Sequence, residues 1–121
     1  DKLAATVLGE KLPRITANTI TDPRELEREY ARIREFGYAK SNEESSEGVV
    51  GYAIPILDAA GSLAAAVHVS VLAKLATKAH EKKLLSSARD CAQQIEKALG
   101  NFGDTPALKP SKPVKPVRAA R

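Results

Sequence analysis

The stretch EGVVGYAIPILDAAGSLAAAVHVSV, residues 47–71, decides the fold. Two apolar runs bend around Asp58-Ala59-Ala60-Gly61, a four-residue connection of the kind that joins antiparallel strands, with Gly61 able to take a positive φ. Alternate residues of a strand face opposite sides. One side of the second run therefore carries Leu63, Ala65, Val67, Val69 and Val71, and the other only Ser62, Ala64, Ala66, His68 and Ser70. Such a small-residue face has two uses. A helix packs closely on it, or a concave pocket opens over it with His68 and Ser70 as its polar groups. Pro55 in the first run lacks a backbone donor, so that strand is expected at a sheet edge or with a bulge.

Upstream, Asn42 to Gly48 (NEESSEG) is acidic and polar, a loop by composition. Before it, T-D-P-R-E opens a helix: Asp22 caps, Pro23 fits the first helical position, and Glu25 stands three residues on, as in a capping box. Leu26, Tyr30 and Ile33 then form the expected buried stripe. Gly37 ends the helix, and Tyr38 to Ser41 turns extended. Downstream, Leu75 to Leu99 reads as helix throughout. Leu84, Ala88, Cys91, Ile95 and Ala98 step by 4-3-4-3, with Leu85, Ala92 and Leu99 alongside, a broad apolar face on which Cys91 is expected as a small core residue. Gly100 closes it. Helix, strand, hairpin and long helix in this order predict an α+β layer, the helices covering an antiparallel sheet.

The ends differ from this body. Asp1 to Leu8 reads as the end of a helix stopped by Gly9, and Lys11 to Thr21 as a loop or short extended piece. Phe102 to Arg121 holds four of the seven prolines, spaced through Lys and Val, and is expected as a disordered, partly polyproline-II tail. The division is a folded domain over 1–100 and a Lys/Pro-rich tail over 101–121. The chain contains no Met, so Asp1 is not a translational start and the expectation is a piece of a longer protein.

Composition narrows the function. Lys/Arg and Asp/Glu balance over residues 1–100, so the whole net charge of +4 lies in the tail. That argues against a folded basic surface for DNA. No Trp and only three Tyr and two Phe argue against a base-stacking platform. The single Cys91 rules out an internal disulfide and suits a reducing compartment. No basic-then-apolar leader opens the chain. The most lipid-like run, Gly61 to Ala73, is broken by His68 and Ser70 and falls short of the roughly 20 apolar residues of a spanning helix. A cytoplasmic protein without membrane partners is expected.

Chemistry-bearing residues are few. His68 and Ser70 share a strand face, but no nucleophile elbow or acidic orienter accompanies them, so no enzyme is expected. As a residue, His68 is open to two readings, a ligand contact or a packed or surface histidine. His80, within HEKK, reads as a solvated helix residue. Glu43, Glu44 and Glu47 share a loop with neither His nor Cys, a weak metal pattern, and read as solvated. No metal or cofactor is expected.

One ordered set of residues points to a family. Thr16, Thr19, Leu26, Ile33, Arg34, Gly37, Tyr38, Ala39, Glu43, Glu44, Gly48, Ala53, Pro55, Asp58 and Gly61, followed by a strand ending in small polar residues and a long helix ending Ala98-Leu99-Gly100, resemble the C-terminal half of the effector-binding domain of IclR-type transcriptional regulators. The resemblance spans about residues 3–100. It implies a GAF-like or profilin-like six-stranded antiparallel sheet with helices, of which this chain holds part. It also implies a small organic effector, often a carboxylic acid, a homodimer or homotetramer, and DNA contact only through an N-terminal winged helix-turn-helix absent from this chain. Carried over by position, effector contacts fall on Ser41, Val49, Gly51, His68 and Ser70. Family members often hold an acidic or polar residue at 41, a larger one at 51, Ser at 68, and Gly-Pro where Val71-Leu72 stands, so the resemblance leaves the effector's chemistry unassigned. The alternative is an oligomerisation or interaction module with no ligand of its own.

Overall fold

The computed structural model describes residues 12–100; the expected helix end over 1–8 and the Lys/Pro tail lie outside them. Helix α1 (Pro23–Phe36) starts at the expected Asp22-Pro23 cap, although Glu25 makes no capping-box bond back to Asp22. The Asp22 carboxylate accepts the Arg24 N–H at 2.7 Å, and Gly37 closes the helix at φ 72° with its N–H donated to Ile33. Its stripe of Leu26, Tyr30 and Ile33 is half-buried, not buried as expected.

Strands β1 (Ala39–Asn42), β2 (Val49–Leu57) and β3 (Leu63–Leu72) form an antiparallel sheet in the order β1-β2-β3. β2 is therefore central among the described strands, and the bulge alternative is the one realised: its register with β3 shifts between Ile56 and Leu57. Pro55 lies beyond the last β1 pairing, Ala39 with Ala53, so no β1 carbonyl waits for its missing N–H. The hairpin closes as read. Asp58 Oδ1 accepts the N–H groups of Ala60 and Ser62, both at 2.9 Å, and Gly61 takes φ 76°.

A short 3-10 turn (Ala73–Leu75) leads to helix α2 (Lys78–Ala98), capped by Thr77. α2 packs on the larger face of the sheet. Ile54 and Ile56 meet Ala88 and Ala92, flanked by Tyr38, Val67, Val69 and Leu85. Two alanines at the contact bring the helix close to the strands. The helix phase differs from the expected one. The buried positions are Ala88, Ala92 and Glu96, whereas Cys91 is exposed and Ile95 is 38% exposed. The stripe read from the sequence was too wide: a narrow sheet takes the Leu85 side, and the Cys91 side turns outward. Sequence reasoning missed Glu96, only 3% exposed, whose carboxylate accepts the Leu57 N–H at 2.8 Å. The bulge explains this partner, since it shifts Leu57 out of regular register.

Near the start of α2, Lys40 of β1 pairs with Glu81 at 2.8 Å and lies 5.4 Å from the centre of the Tyr52 ring. Tyr52 is the largest fully buried side chain, and its hydroxyl has no hydrogen-bond partner among the described residues. Burial pushes its phenol above the ordinary range. The Lys40 ammonium is also raised: burial opposes this, but the hydrogen bond and charge of Glu81 outweigh it.

Candidate functional site

Helix α2 covers the face of Tyr52, Ile54 and Ile56, so the small-residue face is left without a helix among the described residues. Of the two uses open to that face, close packing by α2 is thereby excluded. Strand register shows what stands on it. Ser41 pairs with Gly51 and Gly51 with Ser70, a row straight across all three strands. The next row is Ala39, Ala53 and His68. Val49 lies two residues from Gly51 on the same side, opposite Leu72. All five positions singled out in the sequence thus share one patch.

The centre of the patch is tightly arranged. A Cβ built on Gly51 would lie 3.0 Å from His68 Nε2, 3.7 Å from His68 Cε1 and 3.8 Å from Ser41 Cβ. The imidazole therefore lies diagonally over Gly51, which is buried although it has no side chain, while the ring stays exposed on its outer surface. Around it the strands contribute Ala39, Ala53, Ala64 and Ala66, and no charged residue of β1, β2 or β3 falls on this face. Such a surface can hold an apolar body on methyl groups and meet one polar or anionic group with two hydroxyls and an imidazole. No hydrogen bond joins His68 to Ser41 or Ser70 among the described residues, and no carboxylate orients the ring, so the arrangement lacks a nucleophile–base pair.

The loop bordering the patch, 43–48, is held from a distance. Thr16 Oγ1 donates to the Glu43 carbonyl at 2.7 Å, and Thr19 Oγ1 donates to the Glu44 carbonyl at 2.6 Å. Asn18 Nδ2 donates to the Asn42 carbonyl at 3.1 Å. The threonines are themselves tied together, for Thr19 Oγ1 accepts the Thr16 N–H at 2.8 Å. Sequence reasoning placed these residues in a loop and missed this clamp; the T-x-x-T spacing, with a hydroxyl able to reach back three residues, is the signal that carries it. The acidic side chains serve their own loop. Glu43 Oε2 accepts the Gly48 N–H at 2.6 Å, Glu44 Oε1 accepts the Asn42 N–H at 3.2 Å, and Glu43 adopts φ 59°. No group of three His, Cys, Asp or Glu able to hold a metal occurs among the described residues, and no described helix is long and apolar enough to cross a membrane.

Comparison with known proteins agrees with this architecture. Residues 1–97 match the family model of the bacterial transcriptional regulator IclR C-terminal domain. The DNA-binding transcriptional repressor YiaJ of Escherichia coli is 38% identical over 86 residues, 71% of this chain and 30% of that protein. An IclR homologue from Microbacterium hydrocarbonoxydans, solved in complex with 4-hydroxybenzoate, superposes with a TM-score of 0.74 at 27% identity, over 83% of this chain and 40% of the other. The inducer-binding domain of the Acinetobacter transcription factor PobR, a double mutant solved with 3-hydroxybenzoic acid, gives 0.72 at 25% identity, over 78% and 55%. The chain spans between 22% and 37% of the length of the curated relatives it matches. With the family model covering most of its length and the α+β layer to match, the chain belongs to the IclR family of bacterial transcriptional regulators, to whose C-terminal domain it corresponds.

Proposed function

We propose that this domain senses a small organic acid on the small-residue face of its sheet and passes the signal to a DNA-binding domain outside these 121 residues. The observation that carries this reading is the single patch formed by Ser41, Val49, Gly51, His68 and Ser70, methyl-lined, uncharged and uncovered by α2. The acid's apolar body lies on Val49 and the alanines, and its carboxylate meets the Ser41 and Ser70 hydroxyls and the His68 imidazole. Family relatives solved with hydroxybenzoates support an acid of that size. Binding acts on transcription by favouring one arrangement of paired DNA-binding domains over another, and it shifts that balance only by its difference in affinity for the two. On this reading the protein is a cytoplasmic homodimer or homotetramer and not an enzyme.

The test is release of operator DNA by the full-length protein, followed by fluorescence anisotropy, against a panel of small carboxylic acids headed by 4-hydroxybenzoate. At least one acid releases DNA, and Ser70→Ala or His68→Ala shifts its half-effective concentration upward about tenfold, the loss of one good hydrogen bond to a charged group. A panel without effect, or an effect untouched by both substitutions, contradicts the reading. A second reading, an interaction module without a ligand, is favoured by the exposed Ile95 on α2 and the exposed Leu99 just beyond its end. Since both readings allow self-association, the acid separates them: a module's DNA affinity and assembly are the same with and without it, whereas a sensor's DNA affinity follows it.

A further inference from the structure

We infer that Gly51 and His68 form one specificity unit, in which the imidazole takes the space a side chain at position 51 would fill. This inference rests on the proposed acid-binding site and assigns the residues that set its selectivity. Gly51 pairs directly with Ser70, so His68 is its diagonal neighbour, at the separation long side chains bridge across a sheet. The bridge is made: His68 Nε2 lies 3.0 Å from where a Cβ on Gly51 would stand, closer than two such atoms settle without one of them moving. Gly51 is in an ordinary strand conformation and not at a positive φ, so the backbone does not demand glycine there. Space for the ring is the demand that remains.

The patch's central polar atom comes from β3, not β2, and stands over Gly51, the middle residue of the Ser41–Gly51–Ser70 row. A bulky group cannot descend to the sheet over position 51, because the ring is already there. The site therefore favours a compact acid, one carboxylate held by imidazole and hydroxyls with a slim body running over the alanines. Removing the ring opens a hollow over Gly51 and broadens selectivity toward wider acids.

A double-substitution cycle on the full-length protein tests the unit, with Gly51→Ala, His68→Ser, the pair together, and Ser70→Ala as reference. Each is measured for its urea unfolding midpoint and, by calorimetry, for its affinity toward 4-hydroxybenzoate and narrower and wider carboxylates. In the parent protein Gly51→Ala pushes the exposed ring aside and weakens the compact acid about tenfold; in the H68S background it changes that affinity less than about twofold and raises the unfolding midpoint by more than in the parent, a non-additivity expected only of residues in contact. His68→Ser alone weakens the compact acid and improves the wide one. Equal effects of Gly51→Ala in both backgrounds, or none in either, overturn the unit. If Ser70→Ala weakens binding while the cycle is additive, the sensing site stands and only this inference falls. If no acid binds, or none responds to Ser70→Ala and His68→Ser, the sensing reading fails and the specificity claim with it.

Discussion

Replacing Thr19 with Val tests whether the loop beside the candidate site is positioned by hydroxyl groups 25 or more residues away. Valine keeps the branched shape and deletes only the oxygen. That oxygen donates to the Glu44 carbonyl at 2.6 Å and accepts the N–H groups of Thr16 at 2.8 Å and Ile15 at 3.1 Å. A net hydrogen bond contributes about 0.5–1.5 kcal/mol, and Thr19 is half-buried, so water recovers part of what is lost. The expected cost is about 1–2 kcal/mol, read as a lower urea midpoint with an unchanged slope. The local effect is more diagnostic. Thr16 Oγ1 still holds the Glu43 carbonyl, so the fold survives, but the amides of Asn42 and Gly48, now bonded to Glu44 and Glu43 side chains, exchange faster with solvent. Ser41 lies one residue before Asn42, which leads into this loop, so effector affinity falls too. If the midpoint and loop exchange both match the parent, the clamp does not hold the loop.

Tyr52→Phe removes a buried hydroxyl with no partner among the described residues and is expected to stabilise by about 1 kcal/mol, measured by urea unfolding. The same substitution tests pH dependence. A phenol raised in the folded state is fully protonated below its unfolded value near 10, so its contribution is intact there and is lost as pH climbs through the folded value. Lys40 is raised as well and adds loss in the same direction, so the Tyr52→Phe stability profile falls less steeply above about pH 10 but does not become flat. Glu96→Ala deletes the buried carboxylate that accepts the Leu57 N–H and is expected to cost about 2–3 kcal/mol, with faster exchange of the Leu57 amide. Cys91→Ser is expected to change stability by less than about 0.5 kcal/mol, since the side chain is exposed; a core cysteine would cost several times more.

Local punctuation carried much of the architecture. Asp22-Pro23, Gly37 and the Asp58–Gly61 turn mark boundaries that depend on nearby backbone geometry, and each acts where the sequence places it. Alternation in β3 likewise told its two faces apart. Properties set at long range were less legible. The 3.6-residue period of α2 allows two adjacent stripes, and which one is buried depends on the width and bulge of a sheet built from distant residues; hence Cys91 was misplaced and Glu96 missed. The clamp by Thr16 and Thr19 spans 25 to 28 residues and depends on where two carbonyls point, which composition does not encode. The five candidate site positions came from a family resemblance, and register alone brings them together; the contact between Gly51 and His68 required coordinates.

The central claim is that the small-residue face receives the effector. The most direct measurement is a crystal structure of the full-length protein with the tightest-binding acid of the carboxylate panel. The acid is expected on this face, its carboxylate within hydrogen-bond distance of Ser70 and His68 and its body over Ala53. An acid bound elsewhere, with the face packed against another part of the protein, would contradict it.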